Sequence, residues 1–228
     1  MQPTDEATAV VLAGGGSRRF ADGSKALATV DGEPMLERVV RTAASVTDGT
    51  PIVAVGSADQ REGYADALDT AIRFVVDAGD RAGPLAGLER AVTVADSGWL
   101  LVLACDLPLV DPGVLSWLAD QRSPEIDAII PETGGETHPL HAWYRRESLR
   151  NELVTNPETQ RVRELLDGLA VRPIPAAERP DEFDLARSVR NVNTVAELRR
   201  VRQAIDDERA DGEAGDLDSA RESRPSRE

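Results

Sequence analysis

Short runs of aliphatic and β-branched residues alternate along the chain with longer stretches of helical spacing. The apolar runs are Ala9 to Leu12, Ile52 to Val55, Ile72 to Val76, Trp99 to Ala104 and Ile126 to Ile130. Helical segments fall near Met35 to Val46, Gln60 to Leu68, Leu85 to Ala95 and Pro112 to Arg122. The runs are continuous rather than alternating, as expected of strands covered on both faces. Strand and helix in alternation predict an α/β chain, with three layers (α/β/α) around a mainly parallel sheet. Beyond Ile130 the pattern loosens. A glycine turn, the segment His138 to Tyr144, helical stretches near Glu147 to Leu153 and Arg161 to Leu166, and a last helix from about Thr194 read as an irregular extension of the sheet. From Asp206 the chain is polar and acidic with almost no large apolar residue, too little to offset the entropy of ordering. The reading is therefore one domain over 7–205 and a disordered tail over 206–228.

In such a sheet, ligands sit in the crevice beyond the carboxyl ends of the strands. Three informative segments fall there. The first strand runs into Leu12-Ala-Gly-Gly-Gly-Ser-Arg-Arg-Phe-Ala-Asp-Gly-Ser-Lys25, the third ends at Asp77 ahead of Gly83-Pro-Leu-Ala-Gly87, and the Trp99 strand ends at Cys105-Asp106-Leu-Pro108. Successive N–H groups of a glycine-rich turn make an anion-binding concavity, although Gly14 to Gly16 also suit a plain strand-to-helix turn. Lys25 is the one lysine of the chain, and an ammonium here suits a polyphosphate. A Walker loop is excluded because Lys25 follows Ser24, and a dinucleotide fingerprint because Arg19 stands where its third glycine belongs. Asp106 is the candidate ligand for a hard divalent cation, with helix capping as the alternative, although Asp111-Pro112 already reads as that cap. Asp77 reads either as an acceptor for a base or ribose or as an ordinary loop aspartate. The helix opening at Gly83-Pro84 aims its positive end at the crevice.

Composition narrows the partners. A net charge of −15 opposes general nucleic-acid binding, which needs basic surface, so any phosphate must meet a local basic pocket. Scarce lysine and aromatics with abundant acid also resemble proteins of salt-accumulating halophiles, where salt screens self-repulsion. No stretch is apolar enough for a membrane helix and the N-terminus lacks signal-peptide character, so a soluble, cytoplasmic protein is expected. Cys105 is the single cysteine and His138 and His141 the two histidines, which leaves no internal disulfide and no zinc set. Cys105 reads as packing, and the histidines as either core residues or functional ones.

Together the motifs resemble a known family. The first loop, Gly-Pro-Leu-Ala-Gly, Cys-Asp-Leu-Pro, Pro-Leu-His-Ala-Trp-Tyr and Asn191-Val-Asn-Thr194, in that order from Ala9 to about Leu198, are similar to molybdenum cofactor guanylyltransferases of the MobA type. The resemblance implies a Rossmann-like nucleotidyltransferase fold that uses GTP and magnesium to form molybdopterin guanine dinucleotide from molybdopterin. It implies that the nucleotide lies across Leu12, Ala13, Gly14 and Gly15, that Asp77 is near the nucleoside, that Lys25 and Arg19 meet the phosphates, and that Asp106 binds the metal. His138, Pro139, Leu140, Asn191 and Asn193 match segments on the acceptor side, and cofactor-insertion proteins and apo-molybdoenzymes are the implied recipients. The chain departs from the family's spelling at Phe20-Ala21, at Ser24, where an acidic residue is usual, and at Val55-Gly56, where a polar base contact is expected. By the residues themselves, CTP, another phosphate acceptor, or a non-catalytic nucleotide binder remains open.

Overall fold

The computed structural model describes residues 5–15, 24–77 and 83–207. In chain order it contains β1 (Ala7–Leu12), a 3-10 turn at Lys25–Leu27, β2 (Thr29–Val30), β3 (Glu33–Pro34), α1 (Met35–Ala44), β4 (Ile52–Val55), α2 (Ala58–Ala65), β5 (Arg73–Val76) and α3 (Pro84–Val94). There follow β6 (Trp99–Ala104), α4 (Pro112–Ala119), β7 (Ala128–Thr133), β8 (Glu136–Thr137), β9 (His141–Arg145), α5 (Arg146–Thr155), a 3-10 helix at Val162–Gly168, β10 (Val171–Pro175), a 3-10 turn at Ala176–Glu178 and α6 (Leu185–Ser188). A last helix, α7, spans 195–207.

The main sheet has the order β10-β7-β9-β6-β1-β4-β5, with β8 paired to β7. β1 is central, parallel to β4 on one side and to β6 on the other, with Val10 opposite Ile52 and Val102. The continuous apolar runs are explained by the two cores. Ala9, Val11, Leu101 and Leu103 face α1 and α4, whereas Val10, Leu12, Leu100 and Val102 face α3 and α5. Each strand residue thus packs on one helical layer or the other, giving the expected three layers around a mainly parallel, mixed sheet.

The looser second half is resolved by β9, which inserts antiparallel between β6 and β7, while β10 pairs parallel with β7 at the edge. The stretch expected to be helical near Arg161 is a 3-10 helix, where the Glu164 carboxylate accepts from the N–H groups of Gln160 and Arg161. A small hairpin, β2–β3, was not expected. Asp31 and Gly32 adopt φ of 56° and 78°, the left-handed pair of a type I′ turn. α7 covers this hairpin through Val30, Met35, Leu198 and Val201. Its start is fixed by Thr194 and Glu197, whose side chains accept from Glu197 N and from Asn193 N and Thr194 N, a reciprocal capping box. Asp206 and Asp207 still belong to α7, and the rest of the expected tail, 208–228, lies outside the described residues. No helix among the described residues is long and apolar enough to cross a membrane.

Candidate active site

The chain leaves β1 toward β4 and β5 and returns to β6 on the other side, so the strand order reverses around β1. This is where an α/β sheet opens a crevice at its carboxyl edge. A cleft of about 200 Å³ lies there, lined by residues following β1 (Ala13, Gly14, Gly15), Asp77 after β5, Gly83 and Pro84 at α3, and Cys105 and Asp106 after β6. Leu12, Ala54, Tyr64 and Leu140 supply apolar wall, and Lys25 reaches in from its 3-10 turn.

Gly14 lies in close approach to its neighbours. A Cβ there would stand 3.1 Å from Gly56 N and 3.2 Å from Asp77 Oδ2. The strand ends are tied to one another, since Ala13 N donates to Ala54 O at 2.7 Å and Cys105 N to Leu12 O at 3.1 Å. α3 opens at Gly83 (φ +70°), with Pro84 in its first turn and no side-chain cap. The positive dipole end of its first turn therefore borders the cleft.

The charged centre is built from three distant parts of the chain. Lys25 Nζ donates to Asp106 Oδ2 at 2.5 Å and to Asn193 Oδ1 at 2.7 Å. Val192 N donates to the Asp106 carbonyl at 2.8 Å, which fixes the 191–193 segment against the loop after β6. The Lys25 and Asp106 side chains are only 18% and 16% exposed, so their attraction is weakly screened. Burial raises the Asp77 carboxyl above its ordinary value. Burial also pushes the Cys105 thiol up to about 12, which keeps it protonated and unreactive near neutrality and agrees with its reading as packing.

On the far side of Asp106 lies a second cleft of about 240 Å³, lined by Thr137, His138, Pro139, Leu140, Val189 and Asn191. Ala104, Asp106 and Leu140 belong to both clefts. The two histidines part company here. His141 is 1% exposed, and its Nε2 pairs with Ser188 Oγ at 2.8 Å. Burial moves it down to about 4, so it is a neutral core residue. His138 is half-buried, pairs with Thr133 Oγ1 at 2.7 Å, and is also lowered by burial. Arg19 and Gly16 lie outside the described residues. Reading the residues missed Tyr64, whose hydroxyl meets Ser24 Oγ at 2.7 Å. No local pattern announces a contact between residues 40 positions apart.

Residues 9–174 match the family described as the MobA-like NTP transferase domain. The chain belongs to this family. It is 32% identical over 203 residues to the molybdenum cofactor guanylyltransferase of Desulfosudis oleivorans, covering 88% of this chain and 96% of that protein. A protein of Natronomonas pharaonis named probable molybdenum cofactor guanylyltransferase is 31% identical over 203 residues, covering 88% and 98%. The crystal structure of molybdopterin-guanine dinucleotide biosynthesis protein A from Archaeoglobus fulgidus shares the fold, with a TM-score of 0.73 at 24% identity over 88% of this chain and 99% of that one.

The donor set of this MobA-like chain fits a magnesium ion shared with phosphates. Among the described residues, Asp106 Oδ1 is buried with no hydrogen-bond partner, as is Asp77 Oδ1, an arrangement that costs free energy unless a cation or donor meets it. No group of three or more His, Cys, Asp or Glu among the described residues could hold a metal alone. Magnesium commonly takes one or two carboxylates and completes its shell with phosphate oxygens and water.

Proposed function

We propose that the chain transfers GMP from GTP to the terminal phosphate of molybdopterin, forming molybdopterin guanine dinucleotide and releasing pyrophosphate. The supporting observation is the position of Asp106, clasped by Lys25 on the wall that two clefts share. One cleft takes the nucleotide across Leu12, Ala13, Gly14 and Gly15, with Asp77 beside the nucleoside and Lys25 on the phosphates. Arg19 joins the triphosphate by family resemblance. The other cleft takes the acceptor, with His138, Pro139, Leu140 and Asn191 along it and Asn193 at the junction.

An oxygen of the acceptor phosphate bonds to the α-phosphorus of GTP while the α–β phosphoanhydride bond breaks, and pyrophosphate leaves with the electron pair. A phosphate monoester with a second pKa near ~6 is largely dianionic at neutrality, so no side chain has to remove a proton. The residues therefore act by positioning and by charge. Asp106 would hold magnesium, which when bound neutralises charge on the phosphate oxygens. Lys25 and the first turn of α3 stabilise anionic oxygens from fixed positions. Neither histidine is assigned a proton transfer, since the ionised acceptor phosphate has no proton to give up. The enzyme is assigned to the cytoplasm and to a salt-rich interior, with cofactor-insertion proteins and apo-molybdoenzymes receiving the product.

The test is magnesium-dependent pyrophosphate release in concentrated KCl with GTP and molybdopterin. Release that needs both substrates supports the proposal. Folded protein that releases pyrophosphate only with another acceptor, or not at all, contradicts it.

A further inference from the structure

Lys25 engages Asp106 and Asn193 together, at 2.5 and 2.7 Å, from the end of a long, flexible side chain. The residue before it has an unusual arrangement. Ser24 is the N-cap of the 3-10 turn at Lys25–Leu27, and its carbonyl accepts from Leu27 N at 3.0 Å. Serine at such a position ordinarily turns its hydroxyl onto the first free N–H groups, yet the Ser24 side chain makes no capping bond. Its hydroxyl is directed instead to Tyr64 Oη, at 2.7 Å. Tyr64 is 2% exposed and stands on α2, which is packed against the sheet, with its ring in the wall of the nucleotide cleft. Ala26, on the other side of Lys25, is also 2% exposed. The lysine backbone is thus flanked by a buried alanine and by a serine tethered to a buried phenol.

We propose that Tyr64 and Ser24 are positioning residues, whose hydroxyl–hydroxyl bond fixes the turn that aims the Lys25 ammonium at Asp106 and Asn193. This rests on the reading of Lys25 as the phosphate-binding cation. Without the bond, Ser24 is free to cap its own turn, and Lys25 must lose more side-chain and backbone freedom to reach the same place. The phenol remains protonated through the working range, because burial raises it above its ordinary value.

The chain carries its own probe. With one lysine in the sequence, lysine-specific ¹⁵N labelling gives a single side-chain ammonium signal. Tyr64→Phe and Ser24→Ala each remove the bond while keeping ring and backbone, and Ser24→Thr keeps a hydroxyl. Each of the first two variants is expected to lower kcat/KM for GTP by about three- to tenfold, the range given by one lost hydrogen bond. The double variant should lose no more than the weaker single, because both delete the same contact. Ser24→Thr should stay within about twofold of wild type, as one retained bond implies. The Lys25 signal should shift alike in the two deletions, with thermal unfolding still cooperative. Wild-type kcat/KM with an unmoved Lys25 signal, or losses that multiply in the double variant, would overturn the tether. Should wild type itself make no pyrophosphate from GTP and molybdopterin, the functional reading fails, while the Lys25 signal still decides whether the bond positions the lysine.

Discussion

Replacing Asp106 with Asn separates the catalytic demand on this carboxylate from its structural one. The substitution is isosteric and leaves an oxygen to accept from Lys25 Nζ, now 2.5 Å from Oδ2. The bond stays charge-assisted because the Lys25 ammonium remains ionised, and what is lost is the step from an ion pair to an ion–dipole contact, on the order of 1–1.5 kcal/mol. Part of that loss is offset because a carboxylate with one buried, unpartnered oxygen no longer has to be kept charged in a low-dielectric wall. The net cost should be about 1 kcal/mol, or about 2–4 °C in Tm for a domain of this size. Turnover should respond very differently. Loss of a preorganised charge at the reacting phosphates is worth about 3 kcal/mol, a fall of roughly a hundredfold or more. Stopped-time pyrophosphate assays beside calorimetric unfolding would show a nearly normal transition and a collapsed rate. A folded Asp106→Asn enzyme within about threefold of the wild-type rate, well short of that loss, would refute the reasoning.

Asp111 accepts from Gly113 N at 2.7 Å and Val114 N at 3.1 Å at the start of α4, so Asp111→Ala should cost about 1 kcal/mol in urea unfolding. An unchanged midpoint would deny the cap. For His141, burial lowers the folded value to about 4 against about 6.5 when unfolded. As pH falls below the unfolded value the unfolded state takes up the proton first, so stability declines down to the folded value and then levels, by a total on the order of 3 kcal/mol. His141→Gln should flatten that slope in unfolding experiments between neutrality and acid, and identical slopes would contradict the buried neutral imidazole. With a net charge of −15, the thermal midpoint should rise from low to molar KCl as self-repulsion is screened. Full stability without salt would remove the halophilic reading.

The central strands were legible because both faces are covered, so β1, β4 and β6 appear as unbroken apolar runs. β10 was hidden by Pro173 and Pro175, which break a strand signal yet are tolerated on an edge strand. The antiparallel insertion of β9 is a matter of long-range pairing, invisible to periodicity. The β2–β3 hairpin did have a signal, Asp31-Gly32, but with strands of two residues it fell below the length at which alternation can be read. The site follows the same division. Gly14, Asp77 and Asp106 follow strands on the carboxyl edge, where parallel alternation brings them together, while Lys25 reaches them from its own 3-10 turn. The Lys25–Asn193 contact spans 168 positions and the Ser24–Tyr64 contact spans 40, so neither has a local pattern. Asn193 was reached through family resemblance, and Tyr64 only through the fold.

The most direct test of the central claim is product identification. Folded enzyme in concentrated KCl would be given magnesium, molybdopterin and an equimolar mixture of GTP, CTP, ATP and UTP, and the dinucleotide analysed by mass spectrometry. The account predicts molybdopterin guanine dinucleotide as the dominant product, with pyrophosphate in equal amount. A cytosine dinucleotide would overturn the base assignment while keeping the chemistry, and absence of any pterin dinucleotide would contradict the account.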